Sequence, residues 1–253
     1  MLNGAIYLFS GRGGPAMDAV DEDGSLWVYT PNTSSWALTP RTSPTPAPRS
    51  YHAMTSDGIS KLYLHAGCPA TGRLSDLWAY DTDTSTWSEL PPAPGPARGG
   101  TSLAFAMGKL FRAGGFDGEA EQGGAVDVYN PVTRTWSTIF FAQGREGPEA
   151  RSVAALVAGT LRGRGVLVCL FGERDPSALG HAGAGKMLGD VWVFELGGEV
   201  WSRVGAAGEA PEPRGWFGSG VLACEGGDDA YDVHGGLAGD NERLGDVWVL
   251  RIE

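Results

Sequence analysis

One loop concentrates the side chains suited to chemistry. Between Gly172 and Gly185 the chain carries Glu173, Asp175, Ser177 and His181, set among small residues. A carboxylate and an imidazole on one loop make an acid/base pair, or a polar pair lining a substrate pocket. The same residues also suit a plainer task, hydrogen-bonding the backbone of a long connection. A second candidate set is the arginines that recur along the chain: Arg49, Arg98, Arg151 and Arg214. Their recurrence at matching places implies a shared structural role. Four guanidiniums gathered at one end of a structure would also attract an anionic ligand. Trp216, Phe116, Tyr51 and His52 are candidate pocket walls. No Ser-His-Asp nucleophile, zinc pattern or phosphate loop is present; Gly11-Arg-Gly-Gly14 follows the general strand pattern and lacks the strand-to-helix context of a phosphate loop.

The elements that must position these residues repeat. A strand ending in glycine recurs as Ile6–Gly11, Leu62–Gly67, Leu110–Gly115, Leu167–Gly172 and Tyr231–Gly236. Each is followed by a second strand centred on Trp27, Trp78, Asp127, Trp192 or Trp248. In four units a turn and a tryptophan come next, at Trp36, Trp87, Trp136 and Trp201, and the arginines precede the glycine strands of units two to five. The terminal glycine permits a positive-φ turn or close packing. Asn-Pro, Asp-Thr and Ser clusters supply hairpin turns, and the aromatic residues cover one small sheet against the next. Stacking such sheets radially protects both their faces and their edges. The expectation is an all-β propeller, one domain over residues 1–253, with blades near 4–39, 48–91, 97–140, 150–206 and 213–253.

The bulk properties agree. The 253 residues are 42% hydrophobic, enough for a packed core, and include 40 glycines and 16 prolines, which favour short strands and turns. The formal net charge of −11 is the wrong sign for binding nucleic acid. No run is long enough to span a bilayer, and the N-terminus lacks the features of a signal peptide. The expected setting is cytoplasmic, with Cys68, Cys169 and Cys224 as reduced thiols.

The Arg…strand-Gly-Gly…Tyr…Trp pattern resembles the kelch repeat, a four-stranded propeller blade. Relative to that repeat, unit one lacks its first strand and unit five its last, and the resemblance implies a six-bladed parent with one blade lost. Pro48-Arg-Ser-Tyr-His-Ala-Met54, Gly114-Gly-Phe-Asp-Gly118, Gly172–Gly183 and Arg214-Gly-Trp216 together resemble the nitrile-specifier and thiocyanate-forming kelch proteins. That subfamily implies lyase- or isomerase-like handling of a small molecule, and ferrous iron held by a Glu, an Asp four residues on and a His four further on. Glu173 and His181 match the outer two as metal ligands; Ser177 stands at the middle position, with Asp175 the nearest acid. The resemblance therefore implies a small-molecule ligand near the Glu173–His181 loop, with Fe(II) as the implied cofactor. The other role common among kelch propellers is a non-catalytic scaffold for a protein partner.

Overall fold

A computed structural model describes residues 2–177, 183–205, 207–224 and 227–252. The fold is all-β, and the sole helical turn among these residues is a 3-10 turn at Pro31–Thr33. Five antiparallel sheets follow one another along the chain as propeller blades. The first has three strands, Ile6–Leu8, Trp27–Thr30 and Ser35–Leu38. The second has four, Ala53–Ser56, Lys61–Gly67, Leu74–Asp81 and Thr86–Leu90. The third is Ser102–Ala106, Lys109–Ala113, Ala125–Asn130 and Thr135–Phe140. The fourth is Ala155–Leu161, Arg164–Leu170, Val191–Glu195 and Val200–Arg203. The fifth is Gly218–Leu222, Ala230–Ala238 and Arg243–Arg251, with short Arg214–Gly215 added at one end of the middle strand. The chain falls into two compact units, 1–99 with 129–136, and 100–128 with 137–253.

Local chemistry explains the hairpins. The carboxylate of Asp81 accepts the N–H groups of Asp83 and Thr84, and the Asn130 amide oxygen accepts those of Val132 and Thr133. Thr84 and Thr133 hydroxyls bond to Thr86 and Thr135 across the turn. One left-handed residue closes each of these loops: Ser34, Ser85, Arg134 and Glu199 have φ of 49°, 56°, 57° and 54°.

Cores form where one sheet's apolar face meets the next. In the first unit Phe9 and Leu26 cover Leu62, Leu64, Trp78, Tyr80 and Trp87. In the second, Phe111, Val126 and Val128 pack on Leu167, Trp192, Phe194 and Trp201. The opposite face of that fourth sheet, Val166, Val168, Leu170 and Val191, packs on Tyr231 and Val233. The three cysteines are free, and Cys169 is buried.

A backbone device ties consecutive sheets together. The N–H groups of Gly11, Gly67, Gly115 and Gly172 donate to the carbonyls of Arg49, Arg98, Arg151 and Arg214, each the arginine that opens the following unit. The glycine ends one blade's strand while its amide holds the next blade's entry.

Candidate functional site

The recurrent arginines hold that entry from the side-chain end. Arg49 makes two bonds to the Asp76 carboxylate, at 2.6 and 2.8 Å, and donates to the carbonyls of Ala66 and Ala47. Arg151 does the same with Asp190, Phe171 and Glu149, and Arg214 with Asp246, Gly235 and Glu212. The acid in each case lies in, or just before, the strand that follows the glycine strand of the same blade, where Trp78, Trp192 or Trp248 also donates to it. The guanidiniums of Arg49, Arg151 and Arg214 are buried and their charge is matched. They lock blades, and the structure leaves none of the three facing solvent as an anion receptor. Arg98 is buried too and donates to the carbonyl of Pro96. Its blade has Ala125 where the others have the lock aspartate; there the buried pair is Arg112 with Asp127, and Thr138 donates to the same carboxylate.

The loop after Gly172 is a two-stranded ribbon. Glu173–Arg174 pairs with Lys186–Met187, and Glu173 exchanges both backbone hydrogen bonds with Ser152 at 2.8 Å. The Glu173 side chain is buried, and its Oε1 accepts the Gly185 N–H at 2.5 Å. A Cβ at Gly185 would lie 2.6 Å from that oxygen, so the contact needs glycine there. Asp175 sits in the left-handed region with φ of 51°, and its exposed carboxylate lies 3.1 Å from Arg174 Nε. Arg174 also pairs with Glu149 at 2.7 Å. His181 lies outside the described residues. Glu121 adds a third carboxyl: burial raises its pKa, backbone hydrogen bonds oppose this, the charges of Glu173 and Asp175 add to it, and its Oε1 is buried with no hydrogen-bond partner among the described residues.

This donor set does not fit the iron centre that the resemblance implies. The Glu173 oxygen is engaged by the ribbon backbone, Asp175 turns to Arg174, and Ser177 offers a neutral hydroxyl where a hard anionic ligand is needed. Among the described residues no His, Cys, Asp and Glu side chains converge as a ligand group. The geometry gives Glu173 the plainer of its two expected roles, clamping the loop. Replacing it by Gln keeps the shape but weakens a charge-assisted bond. Glu173→Gln is expected to speed amide exchange over residues 174–186 about tenfold, measured by hydrogen–deuterium exchange, with the fourth sheet's own exchange unchanged.

Two expected wall residues, Trp216 and Phe116, lie in the second unit. Trp216 has φ of 64°, is 37% exposed, and donates its N–H to the Val153 carbonyl at 3.1 Å. Val153, with φ of 47°, donates in turn to Gly100. A left-handed β-branched residue is strained, and such strain concentrates at mouths and sites. Phe116 is half-buried and bridges to Glu121. Nearby, a recess of about 290 Å³, counted with its open space, is lined by Ser102, Gln122, Phe141, Glu149, Arg151 and Cys169.

The first unit holds a different grouping. Arg12, on the ribbon Arg12–Gly13 that pairs with Asp18–Ala19, donates from Nε to Ser50 Oγ at 2.6 Å. Its guanidinium lies 5.3 Å from the centre of the Tyr51 ring, and no carboxylate pairs with it among the described residues. Burial raises the Cys68 thiol pKa, against the pull of the Arg73 and Arg12 charges. Burial, aided by Arg49, pushes His52 down to about 4 and keeps it neutral near pH 7. Arg12, Ser50 and Tyr51 thus bring one cation, a hydroxyl and an aromatic ring together in a strongly acidic protein. Arg12, Arg73 and Glu121 were not among the sequence candidates. The signal that could have found Arg12 is non-recurrence: the residue after the strand-ending glycine differs in every unit.

Three comparisons bear on this geometry. The chain is 28% identical over 231 residues to N-(sulfonatooxy)prop-2-enimidothioate sulfolyase of Thlaspi arvense, covering 82% of this chain and 63% of that protein. It is 25% identical over 213 residues to acyl-CoA-binding domain-containing protein 4 of Arabidopsis thaliana, covering 78% of this chain and 29% of that protein. It is 32% identical over 102 residues to the human Rab9 effector protein with kelch motifs, covering 37% and 27%. The chain thus spans less than two thirds of the length of each of these relatives. The family model for the KLHDC2/KLHL20/DRC7 Kelch-repeats domain matches residues 1–172, well over half of the chain, and with its five successive antiparallel sheets the chain belongs to the kelch-repeat β-propeller family.

Proposed function

We propose that this kelch propeller binds an organic anion of the sulfate-ester or sulfonate class, and that Arg12 is the residue that receives it. The observation that carries the reading is the Arg12 guanidinium, braced on Ser50 and the Tyr51 ring and paired with no carboxylate among the described residues. A planar fork with free donors suits a tetrahedral oxyanion, and Tyr51 offers an apolar surface for the organic part. The name of the Thlaspi arvense relative specifies a sulfonatooxy substrate, an anion of this class. The reading needs no iron, and a lyase-like reaction is not part of it: Glu173, the carboxylate suited to proton transfer, is committed to the Gly185 N–H. A scaffold for a protein partner is the second reading, favoured by the similarity to the Rab9 effector protein with kelch motifs.

Calorimetric titration of the chain with an alkyl sulfate tests the proposal. Binding is expected to weaken about tenfold or more in Arg12→Ala, the loss of one charge-assisted contact of about 1.5–3 kcal/mol, and to weaken with added salt. Arg12→Lys should recover part of the affinity. No heat of binding at millimolar sulfate ester, or equal affinity in Arg12→Ala, would sink it.

A further inference from the structure

The segment that joins the first sheet to Arg49 carries one short motif three times. Thr39-Pro40, Ser43-Pro44 and Thr45-Pro46 each set a hydroxyl before a proline. Proline brings no N–H to the position after the hydroxyl, so an enzyme that binds the motif needs only an apolar pocket there. The structure separates the three. The Thr39 hydroxyl accepts the Leu26 N–H at 2.9 Å, and the Thr39 N–H donates to the Leu26 carbonyl at the same distance. Thr45 is half-buried against Gly24, where an added Cβ would lie 2.3 Å from the Thr45 Cβ. A fourth copy, Thr30-Pro31, begins with a residue paired to Ser35 in the sheet. Ser43 differs from all of these: it is exposed and makes no hydrogen bond among the described residues. From Pro40 to Pro48 no backbone group pairs with another backbone group among the described residues. The chain there can enter an enzyme's cleft without breaking a sheet.

We infer that Ser43 is a phosphorylation site for a proline-directed protein kinase, and that the phosphate draws Arg41 away from Asp23. In the transfer the Ser43 Oγ attacks the γ-phosphorus of a nucleoside triphosphate. The new O–P bond replaces the bond to the β,γ-bridging oxygen, the nucleoside diphosphate leaves, and the hydroxyl proton passes to a carboxylate of the kinase. The phosphoserine carries a charge of about −1.5 to −2 near pH 7. Arg41 stands two residues before it and pairs with Asp23 at 2.5 Å, both side chains being more than half exposed. An exposed pair of this kind contributes little. A phosphate offers the guanidinium fork three oxygens and more charge than one carboxylate does. Once Arg41 has moved, the acidic run Asp21-Glu22-Asp23 has lost the one cation paired with it among the described residues. The modification thus adds negative charge and unties the link between two neighbouring segments.

Incubating the folded chain with magnesium, ATP and a purified cyclin-dependent or mitogen-activated protein kinase tests the inference, with the phosphate mapped by tandem mass spectrometry. The expected result is a single phosphate on Ser43, abolished in Ser43→Ala, which should melt as the wild type does. Failure of both kinases to modify the wild type overturns the site. So does phosphate mapped to Thr30, Thr39 or Thr45 in place of Ser43. Phosphorus NMR of the modified chain then reads the second part. Arg41 should lower the proton affinity of the phosphate about threefold relative to modified Arg41→Gln. Equal titration of the two overturns the movement of Arg41.

Discussion

Arg151→Ala is expected to cost about 3–5 kcal/mol, the penalty for stranding one partner of a buried ion pair. That is a large share of the roughly 5–15 kcal/mol that keeps a domain folded. The guanidinium is nearly fully buried and joins four acceptors: both oxygens of Asp190 and the carbonyls of Phe171 and Glu149. Its removal leaves Asp190 with the Trp192 indole as its remaining side-chain donor, at 2.6 Å. Arg151→Lys should recover little, since one ammonium cannot span a carboxylate bidentately and also reach two carbonyls. Urea denaturation of the single and double variants at Arg151 and Asp190 gives the coupling directly. A coupling energy below about 1 kcal/mol would refute the lock.

The same pair fixes a direction with pH. Burial tends to raise the Asp190 pKa, but the hydrogen bond and charge of Arg151 outweigh it and hold the carboxyl below its ordinary value. Protons therefore bind the unfolded chain more readily. The lock contributes fully above the ordinary aspartate pKa, about 3.9, and is lost as the pH falls through the lower folded-state value. In Arg151→Ala only the Trp192 indole and a backbone hydrogen bond still oppose burial at Asp190, so its acid-limb stabilisation should shrink sharply.

Recurrence made the fold legible and obscured the site. Glycine strand, Tyr, Trp and Arg repeat often enough to give the sheets and their order from the letters alone. The recurrent arginines looked like an anion receptor because spacing says where residues repeat but not which way they point. The acid that engages three of them, Asp76, Asp190 or Asp246, recurs as well, and pairing the two recurrences would have exposed the lock. The residue following the second glycine tells the opposite story. It is Arg12, Cys68, Phe116, Glu173 and Leu237 in the five units. A position that never repeats does not serve the repeat, and Arg12 and Glu173 both stand there. The Gly185 clamp on Glu173 was not legible, since it depends on how the ribbon folds back. Nor was Glu121, which long-range packing alone brings beside Glu173.

Gly172→Ala is the second substitution expected to be severe, at about 2–4 kcal/mol, and the repeat supplies its control. Two left-handed residues end each glycine strand. The first has φ of 47° at Ser10, 61° at Ala66, 67° at Gly114, 53° at Phe171 and 64° at Gly235. That is the small left-handed well, which side chains enter at modest cost, and serine, alanine and phenylalanine do so here. The second has φ of 116°, 102°, 103°, 110° and 114° at Gly11, Gly67, Gly115, Gly172 and Gly236, outside any well that a Cβ tolerates. Space is closed there as well: a Cβ on Gly172 would lie 2.8 Å from the Ser152 carbonyl oxygen, and one on Gly67 2.6 Å from that of Ser50. Those neighbours are backbone atoms and cannot swing away. Relief would require moving the strand end, which breaks the Gly172 N–H bond to Arg214 and with it the entry of the next blade. Ala66→Gly, one position earlier, should by contrast change stability by no more than about 1 kcal/mol. Thermal and urea melts of Gly172→Ala, Gly67→Ala and Ala66→Gly separate the two positions. Equal stability of all three would mean that the strand-ending glycine is not what joins blade to blade.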